Sequence, residues 1–158
     1  MFEQRAGDDA VADSSSGVRA AVAADLPSVL ALLESASLPT AEVADWLEHF
    51  VVAEADGRLV GAAGLEVRAG GALLRSVVVA DAYKGRGLGS RLVTEAIRTA
   101  RRAGMPAVYL LTTTAERWFP RHGFEVTDRG SVPADVRDSI EFRESCPASA
   151  AVMVLNTG

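Results

Sequence analysis

Gly85, Gly87 and Gly89 stand two residues apart, with Lys84, Arg86 and Arg91 among and just beyond them. Glycines at that spacing remove the Cβ atoms that would hold a ligand off the backbone, so several N–H groups can converge on one anion where a helix begins. The three cations bring positive charge to the same place. The stretch that holds them, LLRSVVVADAYKGRGLGSRLV from Leu73 to Val93, runs from a β-branched apolar pattern through the glycines into an amphipathic helical one. The chemistry this implies is phosphate binding. A dinucleotide loop would read G-x-G-x-x-G with an acid about 20 residues on, and a Walker loop would end in Gly-Lys-Ser/Thr. The G-x-G-x-G spacing here is neither. A tight turn without a ligand is the competing reading, and the three cations beside a helix start weigh against it.

The elements that must position this loop follow from periodicity. The chain has 158 residues, 49% hydrophobic and 23% charged, which is the composition of one globular domain. Residues 1–16 are polar and aperiodic and read as a flexible tail, leaving 17–158 as the domain. A short strand is expected from Val18. Asp25 then caps a helix with Leu26, Val29, Leu30 and Leu33 on one side, and a second short helix carries Val43, Trp46 and Leu47. Phe50–Glu54 and Leu59–Val67 read as strands joined by Asp56-Gly57, a strong hairpin signal. Gly70-Gly71 turns the chain into the strand that precedes the loop. After the loop, Leu88, Leu92, Val93, Ala96, Ile97 and Ala100 form one apolar helical stripe that Gly104 ends.

Ala107–Thr112 is the next strand. Thr113-Thr114-Ala115-Glu116 fits a capping box, predicting a short helix that contains Trp118 and Phe119 and is cut off near Pro120. Strands at Phe124–Thr127 and Ala150–Leu155 flank a small helix over Pro133–Ser139. The fold class is α/β, with a sheet antiparallel in its first half.

Several function classes fall away on composition. A net charge of −5 argues against general nucleic-acid binding, yet the charge is uneven. Residues 1–50 carry nine acids against two arginines, while Lys84 to Arg102 carry six bases against Glu95 alone. A small polyanion suits such a loop better than a long one. No apolar run is long enough for a membrane span and no signal-peptide pattern opens the chain, so the expected location is cytoplasmic, with no membrane partner. Cys146 is the single cysteine, and His49 and His122 have no partner at metal-ligand spacing, so no metal is expected.

With LLRSVVVADAYKGRGLGSRLV followed by VYLLTTTAERWFPRHGFEV, the chain resembles the GNAT superfamily of acetyl-CoA-dependent N-acetyltransferases over about residues 18–155. The family loop, Gln/Arg-x-x-Gly-x-Gly/Ala, matches Lys84, Gly87 and Gly89, with lysine in place of the usual Gln or Arg. LTTTAERWFPRHGF is similar to the acetyltransferase domain of bacterial N-acetylglutamate synthases. GLEV, LLRSVVV, LLTTTAERWF and FRESCPASA together look more like small acetyltransferases associated with arsenic-resistance operons.

The resemblance implies a GNAT fold, with a mixed central sheet and parallel strands splayed around the coenzyme site, and often a homodimer. It places the pantetheine arm of acetyl-CoA along Val77, Val78 and Val79, and the pyrophosphate on the amides of Gly85, Arg86, Gly87, Leu88, Gly89 and Ser90. Lys84, Arg86 or Arg91 then reaches the phosphates. The expected reaction is direct attack of a neutral amine on the thioester, with the Val78 or Val79 amide stabilising the oxyanion. Glu66 is the first candidate base, with an exposed strand carboxylate as the plainer reading, and Glu116 is the second. The tyrosine that many members use as an acid is replaced by Trp118-Phe119.

For the acceptor, Arg75 is expected on the same side of its strand as Val77 and Val79. There it either clamps a substrate carboxylate or pairs with an acid such as Glu66. Thr112, Thr113 and Trp118 close the same cleft, and Arg143 is a further anion-binding candidate. A small amino-acid-like amine, glutamate-like or an arsenic- or phosphorus-containing analogue, is the preferred acceptor. A non-catalytic acyl-CoA sensor and a protein N-acetyltransferase are the alternatives.

Overall fold

Among the described residues, seven strands form one sheet in the order β1-β2-β3-β4-β5-β7-β6. They are β1 Ser16–Ala20, β2 Phe50–Ala55, β3 Arg58–Arg68, β4 Gly71–Val79, β5 Ala107–Thr112, β6 Glu125–Thr127 and β7 Ala151–Asn156. The α-helices of the described residues are α1 Leu26–Ser35, α2 Val43–Trp46, α3 Leu88–Arg102 and α4 Ala134–Arg137. The computed structural model describes residues 16–145 and 149–157. Residues 1–15, which hold nearly all of the expected tail, and Cys146 lie outside the described residues. The first strand begins at Ser16, two residues before the expected Val18, because Ser16 and Gly17 already pair with Ala55 and Glu54 of β2.

The first four strands are antiparallel neighbours, as the Asp56-Gly57 and Gly70-Gly71 turns require. Asp56 and Gly57 both take positive φ, 53° and 79°, the geometry of a tight two-residue hairpin. β4 and β5 are the one parallel pair in the described sheet, and α3 makes the crossover between them.

Helix α3 packs on one face of the sheet. Its six expected apolar positions, Leu88, Leu92, Val93, Ala96, Ile97 and Ala100, are all buried, against Val51, Ala53, Ala63, Leu65 and Leu74. Helices α1 and α2 cover the other face, where Val29, Leu33 and Val43 meet Phe50, Val52, Ala62 and Val78. Fully burying each such aliphatic side chain contributes roughly 1.5–3 kcal/mol, so both layers hold the sheet rigid behind the site.

Two local expectations are corrected. Asp25 does stand before α1, but its carboxylate accepts from Val22 N–H at 2.8 Å and pairs with Arg19 at 2.8 Å instead of capping that helix directly. The predicted helix from Thr113 does not form. The Thr112 hydroxyl, at the end of β5, accepts from Ala115 N–H at 2.9 Å and so takes the capping role given to Thr113. Only a 3-10 turn follows, Phe119–His122, because Pro120 lacks the N–H and has a ring that a longer helix could not accommodate. Glu116 is exposed there.

Candidate functional site

A break in β4 creates the site. Gly64 of β3 pairs with Arg75, and Ala62 pairs with Val78, so Ala63 faces two residues, Ser76 and Val77. Ser76 takes a φ of 60°, a left-handed conformation that a non-glycine residue adopts only when its surroundings impose it. Such a bulge bends and twists its strand. β4 accordingly pairs with β5 only from Ala72 to Leu74, while β5 runs on to Thr112 beside β7. Past Leu74 the two strands diverge, leaving the edge of β4 open along Val77–Val79.

The bulge also reverses which side chains share a face, and this corrects the expectation for Arg75. Strict alternation would put Arg75 with Val77 and Val79. Instead Leu74, Val77 and Val79 lie on the α3 side. Val78 packs on the opposite side, and Arg75 reaches the Ala41 carbonyl there at 2.8 Å.

Three cavities meet along the open edge. The first, about 380 Å³, is bounded by Val77, Val78 and Val79, by Lys84, Gly85, Gly87, Leu88, Gly89 and Ser90 of the loop, and by Tyr83, Trp118 and Arg121. No acid lines it. Gly85 and Gly87 both adopt φ of 81°, the left-handed region that favours glycine. Among the described residues no backbone hydrogen bond engages the N–H groups of Gly85 through Ser90, and the first intrahelical bond there runs from Arg91 N–H to Gly87 O. A Cβ on Gly89 would project toward the Trp118 ring and Val79 at 3.7–3.9 Å, into the space left open.

These features fit the phosphates and arm of coenzyme A: unpaired amides at the start of a 15-residue helix, two cations and an apolar strand edge. Arg86, expected among the phosphate ligands, does not line the cavity. Its guanidinium lies over the Tyr83 ring, 5.0 Å from the centroid. The Tyr83 hydroxyl in turn donates to Asp56 at 2.8 Å, tying the loop to the β2–β3 hairpin.

A second cavity, also about 380 Å³, lies on the far side of Trp118. Arg75, Ser76, Thr112, Thr113 and Glu141 are among its polar lining, with Leu38, Leu110 and Phe119 among its apolar walls. A third, about 520 Å³, runs from Ser37 and Leu38 along Val77–Ala80 to Lys84. Val77 borders all three, and Trp118 stands between the first two. Trp118 is held edge-on by Phe119 at 4.9 Å and beside His122 at 5.0 Å. The imidazole of His122 is held below its ordinary pKa first by burial and then by the Arg121 charge.

Thr112, Thr113, Trp118 and Arg75 thus come together as expected, but Glu66 does not join them. It is fully buried behind Arg75, not exposed on its strand. Its Oε2 accepts from Arg75 Nη1 at 2.9 Å and its Oε1 from Arg68 Nη2 at 2.7 Å. Both of its oxygens are thus held by guanidinium groups inside the sheet. Arg75 is therefore paired with Glu66, the second of the two readings offered for it. Arg143 is exposed and borders none of the three cavities. Sequence reasoning missed Glu141, Arg121, Tyr83 and the segment Ser37–Pro39. Each reaches the site from a turn or connection with no periodic signal.

Of the two amides considered for charge stabilisation, Val79 is the one facing the gap. Ala80 N–H donates to Val60 O at 2.8 Å, so antiparallel alternation turns the Val78 amide toward β3 and the Val79 amide toward the open edge.

Comparison with known proteins agrees with this geometry. The amino-acid acetyltransferase of Aeromonas salmonicida is 27% identical over 138 residues, covering 82% of this chain and 31% of that protein. The chain thus spans about a third of the length of such curated relatives. N-acetylglutamate synthase from Neisseria gonorrhoeae, solved with coenzyme A and N-acetyl-glutamate, shares the fold with a TM-score of 0.77 at 24% identity, over 90% of this chain and 35% of that one. Rv2747 from Mycobacterium tuberculosis, solved in complex with CoA, aligns with a TM-score of 0.75 at 25% identity over 89% of this chain and 98% of its own. The model of the acetyltransferase (GNAT) domain matches residues 46–126, from the end of α2 through the bulged strand, the glycine loop and α3 to β6. The open strand edge, the loop amides without backbone acceptors and that match, which takes in just over half of the residues, place this chain in the GNAT acetyltransferase family.

Proposed function

We propose that this chain transfers the acetyl group of acetyl-CoA to the primary amine of a small amino-acid-like acceptor. The observation that carries the reading is the meeting, at Val77 and Trp118, of an acid-free glycine-loop cavity with a second cavity of acceptor size that holds Arg75, Thr112, Thr113 and Glu141 among apolar walls. The names of the curated relatives, amino-acid acetyltransferases, support the acceptor class. An arsenic- or phosphorus-containing amino acid is the narrower proposal, carried by the four sequence segments that look like arsenic-associated acetyltransferases.

When bound, acetyl-CoA supplies the activated thioester. The amides of Gly85 through Ser90, with Lys84 and Arg121, hold the pyrophosphate, and Val77–Val79 align the arm. The Val79 N–H is the fixed donor for an oxygen that gains negative charge. Trp118 and Phe119 keep the junction apolar, so an amine that reaches it does so stripped of much of its water. No phenol stands there. The Tyr83 hydroxyl is committed to Asp56, and Tyr109 packs with Leu73 and Val132. With Glu66 also committed, water in the acceptor cavity carries the proton from the amine, and the departing thiolate is protonated by solvent or by that amine.

Thiol release from acetyl-CoA tests this directly, against a panel of amino acids, their arsenic- and phosphorus-containing analogues, and short peptides. Turnover on one free amino acid or analogue is the expected result. Turnover on peptides alone would assign a protein acetyltransferase. Tight CoA binding without turnover would favour the acyl-CoA sensor, a reading that the committed Glu66 and the absent phenol support.

A further inference from the structure

Arg75 borders the acceptor cavity with its side chain fully buried, and four oxygens surround its guanidinium. Nε donates to Ser76 Oγ at 3.1 Å, Nη1 to Glu66 Oε2 at 2.9 Å and Nη2 to Ala41 O at 2.8 Å. The fourth, Glu141 Oε2, stands 3.3 Å from Nη2. The three shorter contacts come from the sheet and from the α1–α2 connection, which the core holds in place. The longest comes from Glu141, in a single π-helical turn, Glu141–Ser145, and from the cavity side.

The charges decide what this contact does. Arg68 takes the other oxygen of Glu66, so Arg68, Arg75, Glu66 and Glu141 sum to zero only with Glu141 included. Without Glu141, the single carboxylate of Glu66 is shared by two guanidinium groups, and the buried one, Arg75, favours a further anion on its cavity side. A carboxylate on a molecule in the cavity is the group that would meet this demand. It has the same geometry as Glu141 and approaches from the same side.

We propose that Glu141 is a specificity-determining residue that occupies, on Arg75, the place of an acceptor carboxylate. The proposal rests on the acceptor reading of this cavity given above. An acceptor with a carboxylate at the depth of Arg75 must displace Glu141, whereas an amide or apolar group there need not. Native selectivity therefore favours the neutral acceptor of an acid–amide pair, and removing the Glu141 charge shifts it toward the acid.

The test uses Glu141→Gln and Glu141→Ala beside the native protein, with CoA affinity as the check that each variant is folded. Calorimetric titration with glutarate and with glutaramide reads the cavity without any turnover. Glutarate is expected to bind both variants about tenfold tighter than the native chain, with glutaramide changing much less. The glutamate-to-glutamine ratio of kcat/KM is expected to rise by about the same factor. A glutarate affinity that does not increase, or a parallel loss of both ligands, overturns the proposal; the second would mean that Glu141 holds the acceptor amine instead. If no amine is acetylated by any of the three proteins, the acceptor reading fails, while the titrations still decide whether Glu141 stands in for a carboxylate. Should Glu141→Ala not fold, Glu141→Gln, which keeps the side-chain shape, decides alone.

Discussion

Arg75 Nη1 donates to Glu66 Oε2 at 2.9 Å with both side chains fully buried, and this pair joins the core of the sheet to the wall of the second cavity, the one proposed to take the acceptor. A carboxylate that anchors a buried guanidinium in this way fixes geometry. Glu66→Gln should therefore act on stability. Breaking a buried pair from one side costs roughly 3–5 kcal/mol, so the melting temperature should fall markedly. The acidic limb of the pH–rate profile should stay where it is in the native enzyme. A limb that disappears in the folded variant would return Glu66 to the role of base.

Gly89 separates ligand binding from folding. A methyl group there meets the Trp118 ring at 3.7 Å, an ordinary contact, yet it enters the glycine-loop cavity proposed to take CoA. Gly89→Ala should melt close to the native chain and bind CoA about tenfold more weakly, because the backbone can no longer be approached. Gly87→Ala should differ, since its φ of 81° strains any side chain by roughly 1–2 kcal/mol. Thermal melts and CoA titrations on both variants separate the two effects, and equal CoA affinity in Gly89→Ala would move the ligand elsewhere.

Gly64 answers to packing alone. A Cβ at this position would lie 2.2 Å from the ring of Phe50, its partner across β2 and β3, and Phe50 is buried in the layer under α1. Gly64→Ala should destabilise by roughly 1–3 kcal/mol through overpacking. Adding Phe50→Leu should recover part of the loss in a denaturant titration, and no recovery would point to backbone strain.

His122 gives stability a pH dependence. Burial and Arg121 hold its folded-state pKa below the ordinary 6.5, so the unfolded chain takes up the proton first as pH falls. The neutral imidazole's share of stability is thus complete above about 6.5, declines below it, and levels off beneath the lowered folded-state value. Melting temperatures between pH 7.5 and 5 should fall more steeply for the native protein than for His122→Gln. Identical slopes would show that the imidazole titrates alike in both states.

The elements of this fold were legible because each carries a local signal. The α3 stripe, the Asp56-Gly57 hairpin and the glycine loop rest on periods and turn chemistry within a few residues, and the structure reproduces them. Where a local signal was overruled, a neighbour did it. Thr112 captured the amide that Thr113 was expected to cap, and Pro120 removed the helix that would have followed.

The acceptor side depended on contacts between distant segments. One extra residue in β4 at Ser76 moved Arg75 to the face opposite Val77 and Val79, and no pattern in LLRSVVV marks a bulge. Glu66 and Glu141 stand 75 residues apart in the chain and reach the same guanidinium from β3 and from a turn near β7. The sequence by itself determined the glycine loop, because glycine spacing, clustered cations and a helix start are properties of one continuous segment. Only the tertiary structure decided which carboxylate is buried, which borders the cavity and which face Arg75 takes, because those follow from register and desolvation across the whole sheet.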